Sequence, residues 1–250
     1  MKRKILLVQF RTKKFELNNE KRCIERYLRP VALKTINAFD QEIKFFQAEK
    51  ILKGVNGLIL GGSAEFNFAA GNPGREEMFW QMVRRVKPFI EYLLEKDIPT
   101  LGICFGHQFL GYVLGVKVVN DETQKETGSF SVYLTANGKT DPLFSGFPSV
   151  FLAQFGHKDS LEKLPSGATL LAKTKKCKIA AFGYKKNIYG IQFHPELTQK
   201  DFISRLKLYP DYTGNKKIAE IKKRLKPSPA APKIFKNFLK IMETYRKLYQ

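Results

Sequence analysis

The stretch Leu101-Gly-Ile-Cys104-Phe-Gly106-His-Gln108 places a cysteine between two glycines, where an apolar strand turns into a helix. Residues 98–103 are a short apolar run typical of a buried strand, and residues 108–114 predict the apolar start of a helix. Such a sharp turn forces its central residue into a strained backbone conformation, and only small residues fit two positions to either side. The pattern predicts a strand-to-helix turn that carries Cys104 at its tip.

Cys104 is a candidate nucleophile. The strain lifts its side chain clear of the sheet, and the N-terminus of the following helix favours the thiolate, which is the form that attacks a carbonyl carbon. A Gly-x-Cys-x-Gly pattern alone is equally compatible with a buried cysteine in such a turn. The rest of the sequence must decide between the two interpretations.

A second motif, YGIQFHPE at residues 189–196, is a buried strand that ends in a histidine and a glutamate. A catalytic cysteine needs a base within hydrogen-bond reach, and the base needs a third group that fixes its tautomer. His194 could be that base and Glu196 the orienting carboxylate, with Pro195 stiffening the turn between them. The alternative is a structural histidine at a strand end.

The three histidines of the chain lie in or beside candidate motifs. His107 follows the cysteine turn, His194 ends the second motif, and His157 lies in a loop-like stretch, Gly-His-Lys-Asp, at residues 156–159. This clustering favours functional roles over packing alone.

The order of predicted elements indicates an α/β fold. Strands are predicted at residues 4–10, 57–60 and 98–103, followed by β-rich pieces at 130–135, 150–154, 169–173, 179–184 and 188–193. Helices are predicted from a cap at Asn18 or Asn19 to Pro30, and over residues 75–96. We therefore expect a three-layer sandwich with a central, mostly parallel sheet and a mixed or antiparallel extension. The motifs follow strands, where the active sites of open α/β sheets form.

Residues 200–250 differ from the rest of the chain. They predict two amphipathic helices, at 216–226 and 233–248, joined by a Pro-rich stretch, PSPAAP. Apolar faces on both helices indicate that they pack on the preceding residues. We expect a domain over residues 1–199 and a basic helical extension over 200–250 packed on it.

The charge of the chain is strongly positive, at +21 in 250 residues, and lies mainly at its two ends. Residues 1–29 carry 10 basic and 3 acidic side chains, and residues 200–250 carry 14 and 4. A solvated surface, a docking face for an acidic protein and nucleic-acid binding all remain open. The basic stretches contain no recognisable nucleic-acid-binding module, so we do not expect nucleic acid as a partner.

Composition excludes several other classes. No apolar run approaches the roughly 18 residues of a membrane span, so we expect no membrane association. Three cysteines without framework spacing favour a reducing compartment, and we predict a cytoplasmic location. Cys177, flanked by lysines, is predicted to be an exposed turn thiol. No cluster with metal-ligand spacing is visible, and we expect no metal or other cofactor.

Together, four ordered motifs resemble the class I (triad-type) glutamine amidotransferase family, especially stand-alone members similar to the amidotransferase domain of GMP synthase. The resemblance covers residues 4–196. Its motifs are Gly-Gly-Ser at 61–63, the cysteine turn at 102–108, Gly-His-Lys-Asp at 156–159, and GIQFHPE at 190–196.

The resemblance implies roles for individual residues. Cys104 would be the nucleophile, His194 the general base and acid, and Glu196 the orienting carboxylate. The N–H groups of Gly62 and Phe105 would form the oxyanion hole.

Three further residues, Gln108, Lys158 and Asp159, would contact the substrate. Two departures from the family pattern bear on the substrate. Gly-Gly-Ser stands where Gly-Gly-Pro is common, and Gly-His-Lys-Asp where Ser-His-Gly-Asp is common.

The implied reaction is hydrolysis of the glutamine side-chain amide through a γ-glutamyl thioester. The sequence has no phosphate-binding loop of the Gly-x-x-x-x-Gly-Lys-[Ser/Thr] type and no recognisable acceptor domain, so we expect any ammonia-accepting synthetase to be a separate protein. Two alternatives remain open: a γ-glutamyl peptidase, in which Lys158 pairs with an extra carboxylate, and a catalytically inactive binding or regulatory module.

Overall fold

The computed structural model describes residues 4–209 and 218–249. Its strands are β1 (Lys4–Gln9), β2 (Ala32–Asn37), β3 (Gly57–Leu60), β4 (Thr100–Ile103), β5 (Val118–Val119), β6 (Glu126–Leu134), β7 (Val150–His157), β8 (Ser160–Leu161), β9 (Ala168–Lys173), β10 (Ala181–Tyr184) and β11 (Ile188–Ile191). Its α-helices are α1 (Lys14–Leu28), α2 (Ala48–Leu52), α3 (Glu76–Glu95), α4 (Phe105–Val113), α5 (Ala136–Thr140), α6 (Gln199–Leu208), α7 (Ile218–Arg224) and α8 (Lys233–Tyr249). Within these residues, no helix combines the length and apolar character that crossing a bilayer needs.

Nine strands form one sheet in the order β2-β1-β3-β4-β11-β10-β9-β6-β7. The pairs from β2 to β11 are parallel, and those from β11 to β7 are antiparallel. The predicted parallel sheet with an antiparallel extension is therefore confirmed. The extension curls back over the parallel part, because Gln154 of β7 forms an isolated bridge with His194, just beyond β11.

Helices cover both faces of the sheet, which makes the predicted third layer. Alternate residues of β1 separate the two sides, since Ile5 and Leu7 pack in one core and Leu6 and Val8 in the other. The first core contains apolar residues of α1 and α8, and the second contains those of α3 and α4. Strands buried on both faces carry continuous apolar runs. This explains why β3 was predicted with its observed bounds.

Two parts of the N-terminal prediction are wrong. Helix α1 begins at Lys14 rather than after Asn18 or Asn19, although it ends before Pro30 as expected. Glu16 in its first turn provides the negative charge that a helix N-terminus favours, so no asparagine cap is needed. Strand β2 was not predicted, because it lies at the edge of the sheet and is only partly buried.

The C-terminal helices pack on the sheet and on α1. Phe235 and Phe238 of α8 are fully buried, and the Phe235 ring stacks on Tyr27 of α1 at 5.7 Å between ring centroids. In α7, Ile221 packs with residues of α6. The predicted start of the first of these helices, at 216–217, lies outside the described residues. Helix α6, which the sequence analysis did not separate, reaches the candidate site described below.

Candidate active site

The cysteine turn adopts the strained geometry that the sequence predicted. Cys104 sits between β4 and α4 with φ 51° and ψ −100°, a region that residues other than glycine rarely adopt. A Cβ on Gly106 would lie 2.2 Å from the Leu60 carbonyl oxygen, and one on Gly102 would lie 2.6 Å from the Gly106 oxygen. The two glycines therefore allow helix α4 to approach the sheet closely. Cys104 itself is only 3% exposed.

His194 and Glu196 are joined directly. The Nδ1 of His194 lies 2.9 Å from Glu196 Oε1, and since the carboxylate only accepts, the ring nitrogen donates. The backbone N–H of His194 donates to the Gln154 carbonyl oxygen at 2.8 Å, which fixes the chain after β11. Nε2 is the nitrogen that remains for the cysteine.

Three motifs converge on Gly62. A Cβ at Gly62 would lie 3.0 Å from His194 Cε1 and 3.7 Å from Cys104 Cβ, so both side chains border the same backbone position. The convergence follows from the strand order, because Gly62, Cys104 and His194 follow the adjacent parallel strands β3, β4 and β11. On the other side, Cys104 Sγ lies 3.9 Å from the Gly156 carbonyl oxygen of β7.

Arg205 is a site residue that sequence reasoning missed. It lies on α6, within the basic extension, and its Nη1 donates to Glu196 Oε1 at 3.0 Å. Nη1 is also 3.4 Å from His194 Nδ1, but both nitrogens are donors, so the shared carboxylate oxygen holds them together. No local motif marks Arg205, because only the packing of α6 brings it to the site.

The electrostatics favour a charged pair. Burial disfavours the charge on His194, but Glu196 and the hydrogen-bonded Cys104 outweigh it and raise the pKa of His194 to about 9. Burial likewise opposes the charge on Glu196, yet His194 and Arg205 lower its pKa to about 2. At neutral pH the site therefore holds an imidazolium oriented by a carboxylate.

The two expected oxyanion donors differ in their surroundings. The N–H of Gly62 donates to Glu20 Oε1 at 3.1 Å, so a buried carboxylate takes the place a substrate oxygen would need. Arg11 and Gln9 hold Glu20 there, with Arg11 Nε at 3.3 Å and Gln9 Nε2 at 3.1 Å. The N–H of Phe105, at the first position of α4, meets no acceptor among the described residues.

The expected substrate contacts are tied into the protein. Gln108 Nε2 donates to the Asp159 carbonyl oxygen at 2.7 Å and to Gln192 Oε1 at 3.2 Å. The Asp159 carboxylate accepts from Ala69 N–H at 2.7 Å and from Asn120 Nδ2 at 3.1 Å. The side chains of Gln108 and Asp159 are buried, whereas Lys158 is partly exposed.

Both departures from the family pattern have a structural explanation. The hydroxyl of Ser63 accepts from the N–H groups of Glu65 and Phe66, at 3.2 and 3.1 Å, and so closes a turn in a way that proline could not. Lys158 has no positive φ, so a lysine stands there without the backbone freedom of glycine.

The space beside the cysteine and histidine is small. A cavity of about 40 Å³ is lined by residues that include Arg11, Ser63, Gly156, His194, Arg205 and Tyr209. This volume suits about one water molecule. Entry of a larger substrate therefore requires the covering residues, which include several from α6, to move.

The other histidines and cysteines require two corrections. His107 is fully buried against Phe182, and burial lowers its pKa to about 3, so it packs as a neutral ring despite its place in the motif. Cys177 is 1% exposed rather than an exposed turn thiol, and burial raises its pKa instead of the lysines lowering it. It lies beside Glu126 and His157 in a cluster of donor atoms that sequence spacing did not reveal.

The sequence pattern of the family described as Glutamine amidotransferase class-I matches residues 19–206. The chain belongs to this family. The expected resemblance is thereby confirmed, and the cysteine turn and the His-Pro-Glu segment both lie within the matched residues.

Curated relatives of this amidotransferase are named as glutamine-hydrolysing enzymes. It is 34% identical over 152 residues, 60% of this chain and 72% of the relative, to a subunit of the glutamine-hydrolysing GMP synthase of Archaeoglobus fulgidus. It is 41% identical over 111 residues, 44% of this chain, to the glutamine-hydrolysing GMP synthase of Caldicellulosiruptor saccharolyticus. The alignment spans 21% of that longer relative.

Solved amidotransferase structures share the fold over almost the whole chain. A GMP synthase subunit-like protein from Thermoplasma acidophilum aligns with a TM-score of 0.69 and 24% identity, covering 99% of this chain and 98% of that one. A glutamine amidotransferase from Thermotoga maritima gives 0.69 and 22%, with 98% of each chain covered. The helical extension is part of both alignments, since each covers nearly all residues.

Proposed function

We propose that this amidotransferase hydrolyses the side-chain amide of L-glutamine through Cys104, His194 and Glu196. The observation that carries the proposal is the chain of contacts from Arg205 to Glu196 to His194, which ends beside Cys104 under Gly62. The arrangement has the nucleophile, base and orienting group of a cysteine triad. The narrow cavity gives no support to the larger substrates of a γ-glutamyl peptidase.

In the proposed reaction, the sulfur of Cys104 attacks the amide carbon and the carbonyl electrons move to oxygen. The raised pKa of His194 supports its role as the acid, because the ring is protonated at neutral pH and can donate to the departing nitrogen. The C–N bond breaks, ammonia leaves, and a γ-glutamyl thioester remains. His194 then takes a proton from water, which attacks the thioester and releases glutamate and the cysteine.

The oxyanion donors suggest that the isolated chain is not fully arranged for catalysis. Phe105 N–H is placed to stabilise the developing charge, as preorganised backbone donors do. Gly62 N–H could join it only after exchanging Glu20 Oε1 for the substrate oxygen. We propose that this exchange accompanies substrate entry and movement of α6.

We further propose that the ammonia is passed to a separate synthetase of the GMP synthase type. The relatives from Archaeoglobus fulgidus and Methanocaldococcus jannaschii are each named as one subunit of a GMP synthase, which supports a two-protein arrangement. Affinity capture from the native cell, followed by a glutaminase assay with and without the captured synthetase, tests this. Capture of no synthetase, with full activity of the isolated chain, would contradict it.

The reaction itself is tested with the purified chain and an electrophilic glutamine analogue. We expect ammonia release from glutamine and a covalent adduct on the peptide that contains Cys104. Cys104→Ser should lose both, whereas Cys23→Ser, which changes another buried thiol, should keep both. Release of an amino acid from γ-glutamyl peptides, without ammonia from glutamine, would favour the peptidase instead. Neither turnover nor adduct would leave a non-catalytic module.

A further inference from the structure

Three metal-binding side chains meet in the interior of the antiparallel extension. Glu126 begins β6 and His157 ends β7, and the two are cross-strand partners in the sheet. Cys177 comes from the turn that connects β9 to β10. One donor atom from each lies within 4.8 Å of the other two, and no residue of the three is more than 2% exposed.

The facing donor atoms of this cluster are unsatisfied. His157 Nε2 and Glu126 Oε2 are 3.7 Å apart, too far for a hydrogen bond, and neither has a hydrogen-bond partner among the described residues. Burying such atoms without a partner is costly. Two unpartnered polar atoms aimed at one thiol therefore indicate a missing ligand rather than a packing contact.

Neighbouring groups orient the donors toward one another. His157 Nδ1 lies 3.0 Å from the Asp159 carbonyl oxygen, so Nδ1 carries the proton and the Nε2 lone pair points the other way, toward Glu126. The hydroxyl of Thr174 donates to Glu126 Oε1 at 2.7 Å, which leaves Oε2 for the centre of the cluster. This is the outer support that metal-ligating histidines and carboxylates usually have.

We propose that Glu126, His157 and Cys177 bind a structural Zn²⁺ ion. Zinc takes nitrogen, sulfur and carboxylate oxygen ligands in a tetrahedron, and bonds of about 2.0–2.3 Å separate its ligand atoms by roughly 3.3–3.8 Å. The observed 3.7 Å between Nε2 and Oε2 already fits that spacing. The three side chains supply three positions, and a water would supply the fourth.

Charge balance supports a divalent ion. A thiolate, a carboxylate and a neutral imidazole together carry two negative charges, which Zn²⁺ cancels within a buried site. Without the metal, burial and the nearby Glu126 raise the pKa of Cys177, so the thiol keeps its proton. Zinc binding would release this proton to the solvent as the sulfur–metal bond forms.

The site lies directly behind the substrate segment. The Asp159 carbonyl oxygen accepts from His157 Nδ1 and also from Gln108 Nε2, at 3.0 and 2.7 Å. Gly156, the neighbour of His157, presents its carbonyl oxygen to Cys104 Sγ. An ion on His157 would therefore hold residues 156–159 in place beside the nucleophile.

Metal analysis of the full chain tests the proposal independently of catalysis. We expect about one zinc per chain after purification without chelators, or after refolding with Zn²⁺ and removal of the free ion. Refolding with a chelator instead should lower the melting temperature, and later addition of Zn²⁺ during refolding should restore it. Zinc well below stoichiometry under both conditions, with no effect on melting, would overturn the proposal.

Cobalt substitution identifies the ligands. Refolding with Co²⁺ should give a thiolate-to-cobalt charge-transfer band that Cys177→Ser abolishes and that Cys23→Ser, the matched buried thiol, retains. Thr174→Val, which removes the outer support of Glu126, should weaken zinc affinity roughly 10- to 100-fold. A band that persists in Cys177→Ser would show that the metal binds elsewhere.

Discussion

Arg205 Nη1 donates to Glu196 Oε1 over 3.0 Å, so the helical extension supplies a direct contact to the carboxylate that orients His194. The extension therefore belongs to the candidate site and does more than cover the sheet. Arg205 acts through Glu196, as a positioning residue. Its basic character also accounts for one of the many positive charges of residues 200–250.

Replacing Arg205 tests this contact. Arg205→Ala removes a charge that lowers the pKa of Glu196, so that pKa should rise and activity should decline at a higher pH on the acid side. We expect kcat/KM for glutamine to fall about 10- to 100-fold, less than the loss of a general acid itself. Arg205→Lys, which keeps the charge, should recover part of the loss and the original pH profile. Equal profiles for the wild type and both variants would contradict the role.

The raised pKa of His194 predicts how stability depends on pH. A histidine titrates near 6.5 when unfolded and near 9 here, so its contribution is fully present below pH 6.5 and is lost as the pH rises through 9. Denaturant unfolding should show a loss of at most about 3 kcal/mol across this range. His194→Gln should flatten the dependence. His107 does not titrate in this window, because burial lowers its pKa to about 3.

Glu20 is expected to restrain basal activity. Glu20→Gln weakens the acceptor that holds Gly62 N–H, so the isolated chain should hydrolyse glutamine roughly threefold faster or more. Glu16→Gln is the matched control, since Glu16 also faces Arg11, at 3.6 Å, but makes no contact with Gly62 in the described structure. The same rise in both variants would point to Arg11 instead, and no rise in either would contradict the role of Glu20.

The close approach of α4 to the sheet predicts which glycine matters most for stability. Gly106→Ala would place a methyl group 2.2 Å from the Leu60 carbonyl oxygen, and the backbone cannot yield cheaply. We expect a loss of about 3 kcal/mol or an insoluble protein. Gly156→Ala meets its nearest atom at 3.5 Å, on the Phe202 ring, and should cost about 1 kcal/mol or less. Thermal and denaturant unfolding measure both.

Packing of the C-terminal helix can be tested in the same way. Phe235→Ala removes a fully buried ring of α8 and should cost about 3–5 kcal/mol. Phe15→Ala changes a ring that is 62% exposed and should stay within about 0.5 kcal/mol. A small effect at Phe235 would mean that the extension adds little to the stability of the fold.

Sequence patterns predicted the parts of the fold whose signal is local. Strands β3 and β4 are apolar on both faces, and the turn at Cys104 has its own glycine spacing, so each was visible within a few residues. Strand β2 was missed because an edge strand keeps polar, half-exposed side chains. The start of α1 was misplaced because an acidic first turn replaced the expected cap.

The site divides along the same line. Cys104, His194 and Glu196 lie in short motifs, whereas Arg205 and the pair of Glu126 and Cys177 reach their partners only through folding. Glu20 approaches Gly62 across 42 positions of the chain, and no residue pattern announces that contact. His107 shows the opposite error, because a motif position drew attention to a ring that only packs.

The adjacency of β3, β4 and β11 has one lasting consequence. Backbone hydrogen bonds set the distance between neighbouring strands at about 4.8 Å whatever side chains they carry. The separation of thiol and imidazole is thus inherited from main-chain spacing, and helices on either face can be repacked during evolution without resetting it.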